Sequence, residues 1–207
     1  MQFSKVAKCL LFFWFSWFSL CTAHAQGKPT TNAWPKQAIR IIVTFTPGGA
    51  PDILARVLAE SWQQSLGVPV LVENRPGYGG NIGADLVAKS DPDGYTLLLA
   101  TASTHGINPS LYPKLPYDAV KDFKPVTGLA RGMMIFVAAP NSKMNSISDL
   151  VSAAKASSQK LNVGTYTAGF HLSAEWFASA SGTKSVNVPY KGAPEVFTAL
   201  IGNQLDW

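Results

Sequence analysis

The sequence predicts an α/β protein built on parallel sheet, arranged as two successive units. Three observations predict it. Short runs rich in β-branched residues, AIRIIVTF (38–45), VPVLVE (68–73) and YTLLLAT (95–101), alternate with stretches of helical periodicity. The same alternation starts again at MMIFVAAP (133–140), after a proline-rich connection. The composition, 47% apolar and 14% charged, is that of a chain that buries a core. Strand-helix-strand repeats of this kind form parallel sheets with crossover helices.

The first 25 residues stand apart. Lys5 and Lys8 precede the apolar run LLFFWFSWFSL (10–20), and Ala23-His24-Ala25 places small residues where a signal peptidase reads them. This is the pattern of a secretory signal peptide cleaved before Gln26. The apolar run is shorter than the roughly 20 residues a membrane span needs. A lipoprotein anchor at Cys21 would want a small residue before the cysteine, and Leu20 stands there. Removing the signal leaves 15 Lys+Arg against 12 Asp+Glu, a mild excess of +3, scattered without stripes or interleaved aromatics. Nucleic acid is therefore not an expected partner. Both cysteines, Cys9 and Cys21, leave with the signal, so the mature chain has neither disulfides nor thiolate chemistry. An exported chain without disulfides relies on its core, which fits a bacterial periplasmic protein.

Residues 26–36 read as an N-terminal tether. The strand 38–45 is broken by Pro47-Gly48-Gly49. From Pro51, apolar residues at Ile53, Leu54, Val57, Leu58, Trp62 and Leu66 trace a helical face that Gly67 ends. The strand VPVLVE leads through the glycine loop NRPGYGGNIG into a short helix, 82–89, a turn at 91–94 and the strand YTLLLAT. Residues 105–125 carry four prolines and form a structured connection. In the second unit MMIFVAAP is expected to be a strand. The helix SISDLVSAAKAS follows, with Ser146 as N-cap and Asp149 in the capping-box position. Then come the strand LNVGTY, the helix HLSAEWFASASG, the strand VNVPY and the helix APEVFTALIG. Domain 1 is expected over 37–127 and domain 2 over 128–207.

Ligands of open α/β sheets bind at the C-terminal ends of strands, where helix N-termini point. The stretch TFTPGGAPDILAR (44–56) is such an end. Gly48 and Gly49 allow a sharp turn that exposes N–H groups, and the helix N-terminus adds partial positive charge, which suits an anion. No Lys-Ser/Thr follows, as a phosphate loop would need, and no G-x-G-x-x-G is present. An ordinary tight turn with Asp52 complementing the helix dipole is an equal reading of these residues. Arg75 could hold a carboxylate or pair with Glu73 or Asp85. Ser103, Thr104 and His105 offer hydroxyls and an imidazole after the third strand. Thr165, Thr167, Gly169 and His171 repeat the theme in the second unit, and Tyr190 and Lys191 mark a further strand end. No serine sits in G-x-S-x-G, and neither His105 nor His171 has a metal-binding partner at helical spacing, so no catalytic group, metal or cofactor is expected.

WPKQAIRIIVTFTPGGAPDILAR, GVPVLVENRPGYGGNIGADLVAKSDPDGYTLLLAT, STHGINPSLYPKLPYDAVKDFKPVT and VNVPYKGAPEVFTALIGNQLD, in that order, resemble the substrate-binding receptors of tripartite tricarboxylate transporters, the Bug receptor family. The resemblance covers nearly all of the chain after the signal. It implies a two-domain periplasmic-binding-protein-like fold (type II-like), a monomer that holds a small carboxylate in an interdomain cleft and presents it to a membrane permease of two subunits. A sensory receptor on the same fold, reporting to a two-component kinase, is the alternative role. Recognition in the family relies on backbone N–H groups, small hydroxyls and water. By position the first binding loop is Pro47, Gly48, Gly49, Ala50 and Asp52, and the second is the region around Thr165, Thr167, Gly169 and His171. Ser103, Thr104, His105, Tyr190 and Lys191 are then wall contacts. The family's first loop usually has a third glycine and a threonine before the aspartate, where Ala50 and Pro51 stand here. Members also continue for roughly another hundred residues. The C-terminal portion that completes both domains is thus expected to be missing, leaving a truncated product that is unstable alone or a remnant without function.

Overall fold

The computed structural model describes residues 34–157 and 160–207. The signal-peptide reading and all but the end of the tether lie outside the described residues. From Pro35 onward the chain forms one contiguous unit containing two parallel sheets.

The first sheet has the order β2-β1-β3, formed by β1 (Ile39–Val43), β2 (Val70–Asn74) and β3 (Thr96–Leu99). Ile41 pairs with Val72 on one side and Leu97 on the other, all strands parallel. The central strand is covered on both faces, which is why its sequence is continuously apolar rather than alternating. Ile39, Ile41 and Val43 point to one face and pack with Ala55 and Ala59 of α1 (Ala50–Leu66) and with Leu58, Trp62 and Leu66 around them. Ile42 and Thr44 point to the other face and are fully buried. There α2 (Asn81–Ala88) lies on β1 and β3. Arg40 uses the same face at the strand's start and forms a two-point ion pair with Glu73, 2.6 and 2.9 Å.

The α1 face differs from the sequence expectation in part. Leu58, Trp62 and Leu66 turn inward as expected, but Ile53, Leu54 and Val57 are exposed. The apolar residues of this helix form two stripes, and the small residues Ala55 and Ala59 define the one that sits on the sheet. Small residues let the helix approach closely, which no hydrophobicity count reveals. Gly67 ends the helix in the left-handed conformation, φ 70°, its N–H donating to Gln63 O.

After β3 comes a wide, π-type helical turn, Ser103–Ile107, which runs into α3 (Asn108–Leu111). The connection is fixed by a buried polar knot. Asn108 Nδ2 donates to Gly79 O (3.0 Å) and Asn81 Oδ1 (2.7 Å), and the Tyr117 hydroxyl lies 2.8 Å from both Asn81 Oδ1 and Thr104 O. This knot, not a ligand, holds the NRPGYGGNIG loop. Within that loop Arg75 pairs with Glu73 at 3.0 Å, the first of the two acidic partners the sequence offered as an alternative to a ligand carboxylate.

The second sheet contains β4 (Leu161–Thr165) and β5 (Ser185–Pro189), with Val163 paired to Asn187. Around it lie α4 (Ile147–Ala156), α5 (Ala168–Ser181) and α6 (Ala193–Ile201). Ser146 caps α4, accepting from Asp149 N–H as the spacing predicts; Asp149 Oδ2 in return accepts from Asn145 N–H. The free edge of β4 is lined by the last residues. Asp206 and Trp207 N–H both donate to Asn162 O, and Gly164 N–H donates to Trp207 O. Leu205 is buried with Ala139, Ala199 and Leu200 in the second core.

MMIFVAAP is not a strand, contrary to the sequence reading. Ala139 N–H donates to Asp206 O, and no further ladder bond forms along 133–138 among the described residues. Met133 and Ile135 are correspondingly exposed, while Phe136 stacks on Trp207 at 5.2 Å. The β-branched, apolar sequence records a preference for a pleated surface, and a preference needs a partner to be realised.

The first core sets the stability of this sheet. Ile41→Ala removes a fully buried side chain facing α1 and should cost about 3 kcal/mol, read as a lower urea midpoint with unchanged slope. Ile53→Ala, on the outward stripe of the same helix, should change the midpoint little.

Candidate functional site

The C-terminal ends of the strands in the two sheets meet. Phe45, just past β1, packs edge-on against Tyr166, just past β4, with ring centroids 6.1 Å apart. Ser103 Oγ, past β3, accepts from Gly169 N–H in the first turn of α5 at 3.3 Å. Thr46 Oγ1 lies 3.3 Å from Glu195 Oε2 in the first turn of α6, and Gly48 stands against Pro194. The two cavities described, of about 260 and 460 Å³, lie elsewhere. One is beside Phe136 and Trp207, the other at the N-terminal end of the first sheet around Arg40, Lys89 and Tyr95. The strand-end loops of the two sheets are in direct contact at this junction.

The first loop is shaped by Asp52. Its carboxylate is buried and accepts from Gly48 N–H (2.9 Å), from Arg56 Nε and Nη2 (3.0 Å each) and from Asn74 Nδ2 (2.9 Å). Asn74 Nδ2 also donates to Phe45 O at 3.0 Å. The side chain therefore ties the β1 turn, the first helical turn and the end of β2 together. The Arg56 guanidinium holds the Asp52 carboxyl down to about 2, helped by the Gly48 and Asn74 bonds and opposed by burial. Gly48 turns with φ +87°, a conformation that favours glycine, while Gly49 is extended at φ −82° and N-caps α1. Pro51 sits in the first turn, and no side chain caps the helix. Pro47, Gly48 and Ala50 are exposed and Gly49 is buried.

The other predicted residues fall into two groups. At the junction stand Ser103 and Gly169, bonded to each other, and Thr167, which caps α5 by accepting from Phe170 N–H at 3.2 Å. Turned to structural tasks are Thr104 and Thr165. Thr104 Oγ1 lies 3.1 Å from Thr101 O and 3.0 Å from His105 Nδ1, and Thr165 Oγ1 donates to Asn187 Oδ1 at 2.6 Å. His105 packs edge-on against Phe123, and burial lowers its pKa, which favours the neutral imidazole. His171 lies 3.7 Å from Glu175 one helical turn on. Tyr190 donates its N–H to Thr165 O and packs on the second core, while Lys191 is exposed. Among the described residues no cluster of three His, Cys, Asp or Glu side chains could hold a metal.

Thr46, Tyr166 and Glu195 were not anticipated. Glu195 had a signal: it stands three residues after Gly192, the capping-box position. α6, like α1, starts without a side-chain cap. Two uncapped helix starts, each with partial positive charge, therefore converge on one spot.

Parallel strands with crossover helices, two sheets facing each other through their C-terminal ends and uncapped helix starts between them define the class of the α/β solute-binding proteins. The comparisons agree. The family model described as "Tripartite tricarboxylate transporter family receptor" matches residues 54–207, and the chain belongs to that family of solute-binding receptors. It is 37% identical over 186 residues to protein BugT of Bordetella pertussis, covering 88% of this chain and 57% of that one. Among solved structures, one titled as a periplasmic transporter is 39% identical with a TM-score of 0.77, covering 84% of this chain and 59% of that one. The R. palustris protein Rpa4515 with adipate is 32% identical with a TM-score of 0.76, over 84% of this chain and 59% of its own. MatC from Rhodopseudomonas palustris with bound malate is 29% identical with a TM-score of 0.73, over 84% and 60%. The chain thus spans well under two thirds of the length of these relatives. No helix among the described residues is long and apolar enough to cross a membrane.

The Asp52 cluster has a defined pH signature. A carboxylate whose folded pKa lies below its ordinary value adds stability that is complete above about pH 4 and is lost as the pH falls toward 2. Asp52→Asn should therefore cost about 2 kcal/mol at neutral pH, with the gap to the parent chain closing between about pH 4 and 2. Urea titrations across that range check it.

Proposed function

We propose that the chain is the recognition portion of a periplasmic solute receptor that holds a small carboxylate where the strand-end loops of its two sheets meet. In this reading residues 1–25 direct export, and 37–127 and 128–207 act as two lobes that close on the ligand. The receptor is a monomer without catalytic groups, and it hands its ligand to the membrane permease of a tripartite transporter. The observation that carries the reading is the convergence of the uncapped starts of α1 and α6 on one junction. Backbone N–H groups there attract an anion without any basic side chain. The family, and the relatives solved with adipate and malate, point to carboxylates as the anion.

Gly49 provides the test. A Cβ there would have its nearest neighbours at 3.8 and 3.9 Å, ordinary van der Waals contact, so an alanine methyl is accommodated. Calorimetric titration of the purified chain with small carboxylates should show binding. Gly49→Ala should bind within about threefold of the parent chain, and Gly49→Asp, which puts a negative charge at the helix start, should bind at least about tenfold more weakly. Equal affinities for the two variants would remove the first loop from the site.

A further inference from the structure

Glu195 brings a carboxylate into the junction. Its Oε2 lies 3.3 Å from Thr46 Oγ1, on the loop that leaves β1. From the capping-box position a glutamate ordinarily reaches back to its own N-cap amide. Here the oxygen stands over Gly192, 3.1 Å from where a Cβ would sit, and its side-chain hydrogen bond crosses to the other sheet's loop. The approach is close: a Cβ at Gly192 would collide with the Thr46 side chain, which sits directly against the Gly192 backbone. Asp52, the acid of the first loop, is turned inward onto Arg56 and Asn74. Of these two carboxylates, Glu195 is therefore the one that faces the contact between the loops.

We propose that Glu195 is the charge selector of this site, favouring a carboxylate ligand that also carries an ammonium group over a dicarboxylate. This rests on the reading of the junction as a carboxylate site. A ligand carboxylate held by the uncapped helix starts leaves the ligand's other end within reach of Glu195. An ammonium there replaces Thr46 as hydrogen-bond partner and neutralises the glutamate. A second carboxylate meets a like charge about 4 Å away in a partly desolvated gap, which is a penalty rather than a contact. Selectivity then arises from repulsion of the wrong ligand as much as from attraction of the right one.

γ-Aminobutyrate, butyrate and succinate have the same number of carbons and differ in the group at one end. Their affinities for the purified chain, for Glu195→Gln and for Glu195→Asp are compared by calorimetric titration, with thermal unfolding checked for each protein. The parent chain should prefer γ-aminobutyrate over succinate by about tenfold. The preference should fall to about twofold or less in Glu195→Gln, chiefly through tighter succinate binding, and persist in Glu195→Asp. An unchanged preference in Glu195→Gln overturns the inference. So does an equal gain for all three probes, which would make Glu195 a plug without selectivity. Binding of no carboxylate by any of the proteins defeats the receptor reading itself, and the selector with it.

Discussion

The buried carboxylate of Asp52 is the interaction on which the candidate site depends. A carboxylate at 3% exposure is tolerated because four donor contacts surround it and a guanidinium neutralises it. Those donors come from three places: the glycine turn, the first helical turns and the end of β2. The turn's left-handed Gly48 is thus clamped by its own N–H, and the Asn74 amide reaches past Asp52 to Phe45 O. Remove the carboxylate and Gly48, Arg56 and Asn74 lose a common acceptor at once. The site's backbone would then lose the fixed geometry that makes N–H groups useful for recognition.

A second, independent constraint places the loop after β3. Asn81, Asn108 and Thr104 are fully buried polar side chains, tied to each other through Asn108 Nδ2, Asn81 Oδ1, the Tyr117 hydroxyl and Thr104 O. The network is only partly satisfied, since Asn81 Nδ2 and Asn108 Oδ1 are buried without a hydrogen-bond partner, yet its four bonds tie three separate chain segments to one arrangement. The consequence here is positional. The network fixes the turn that carries Ser103, and Ser103 Oγ is the acceptor that meets Gly169 N–H from the other sheet's helix. A buried polar cluster thus decides where a junction hydroxyl stands.

Much of this was legible in the sequence, and the misses have physical reasons. The first sheet, the start and end of α1 and the Ser146–Asp149 cap all follow from local rules: strand composition, glycine and proline placement, and side-chain reach. MMIFVAAP was misread because strand propensity is realised only beside a partner strand, and among the described residues this segment makes a single ladder bond, Ala139 N–H to Asp206 O. The outward stripe of α1 was misread because Ala55 and Ala59, small and weakly hydrophobic, outrank Ile53, Leu54 and Val57 in defining the contact face. Thr46 and Glu195 are 149 residues apart, so their meeting depends on how the two sheets face each other. No window of sequence contains that information. The glycine turn itself was readable from local sequence, but the Gly48 N–H it was expected to expose is instead taken by Asp52 Oδ2, four residues on.

The contact between the two sheets' loops is weak by construction. It includes an edge-on ring pair, hydrogen bonds at 3.3 Å between Ser103 and Gly169 and between Thr46 and Glu195, the packing of Pro194 on Gly48 and the close approach of Thr46 to Gly192. Each hydrogen bond contributes on the order of 1 kcal/mol net and the ring pair about as much again. On the proposed reading of the junction as a carboxylate site, a ligand would have to offer its own partners to Ser103, Gly169, Thr46 and Glu195 in place of these contacts, and a ligand held with micromolar affinity, about 8 kcal/mol, has the free energy to do so.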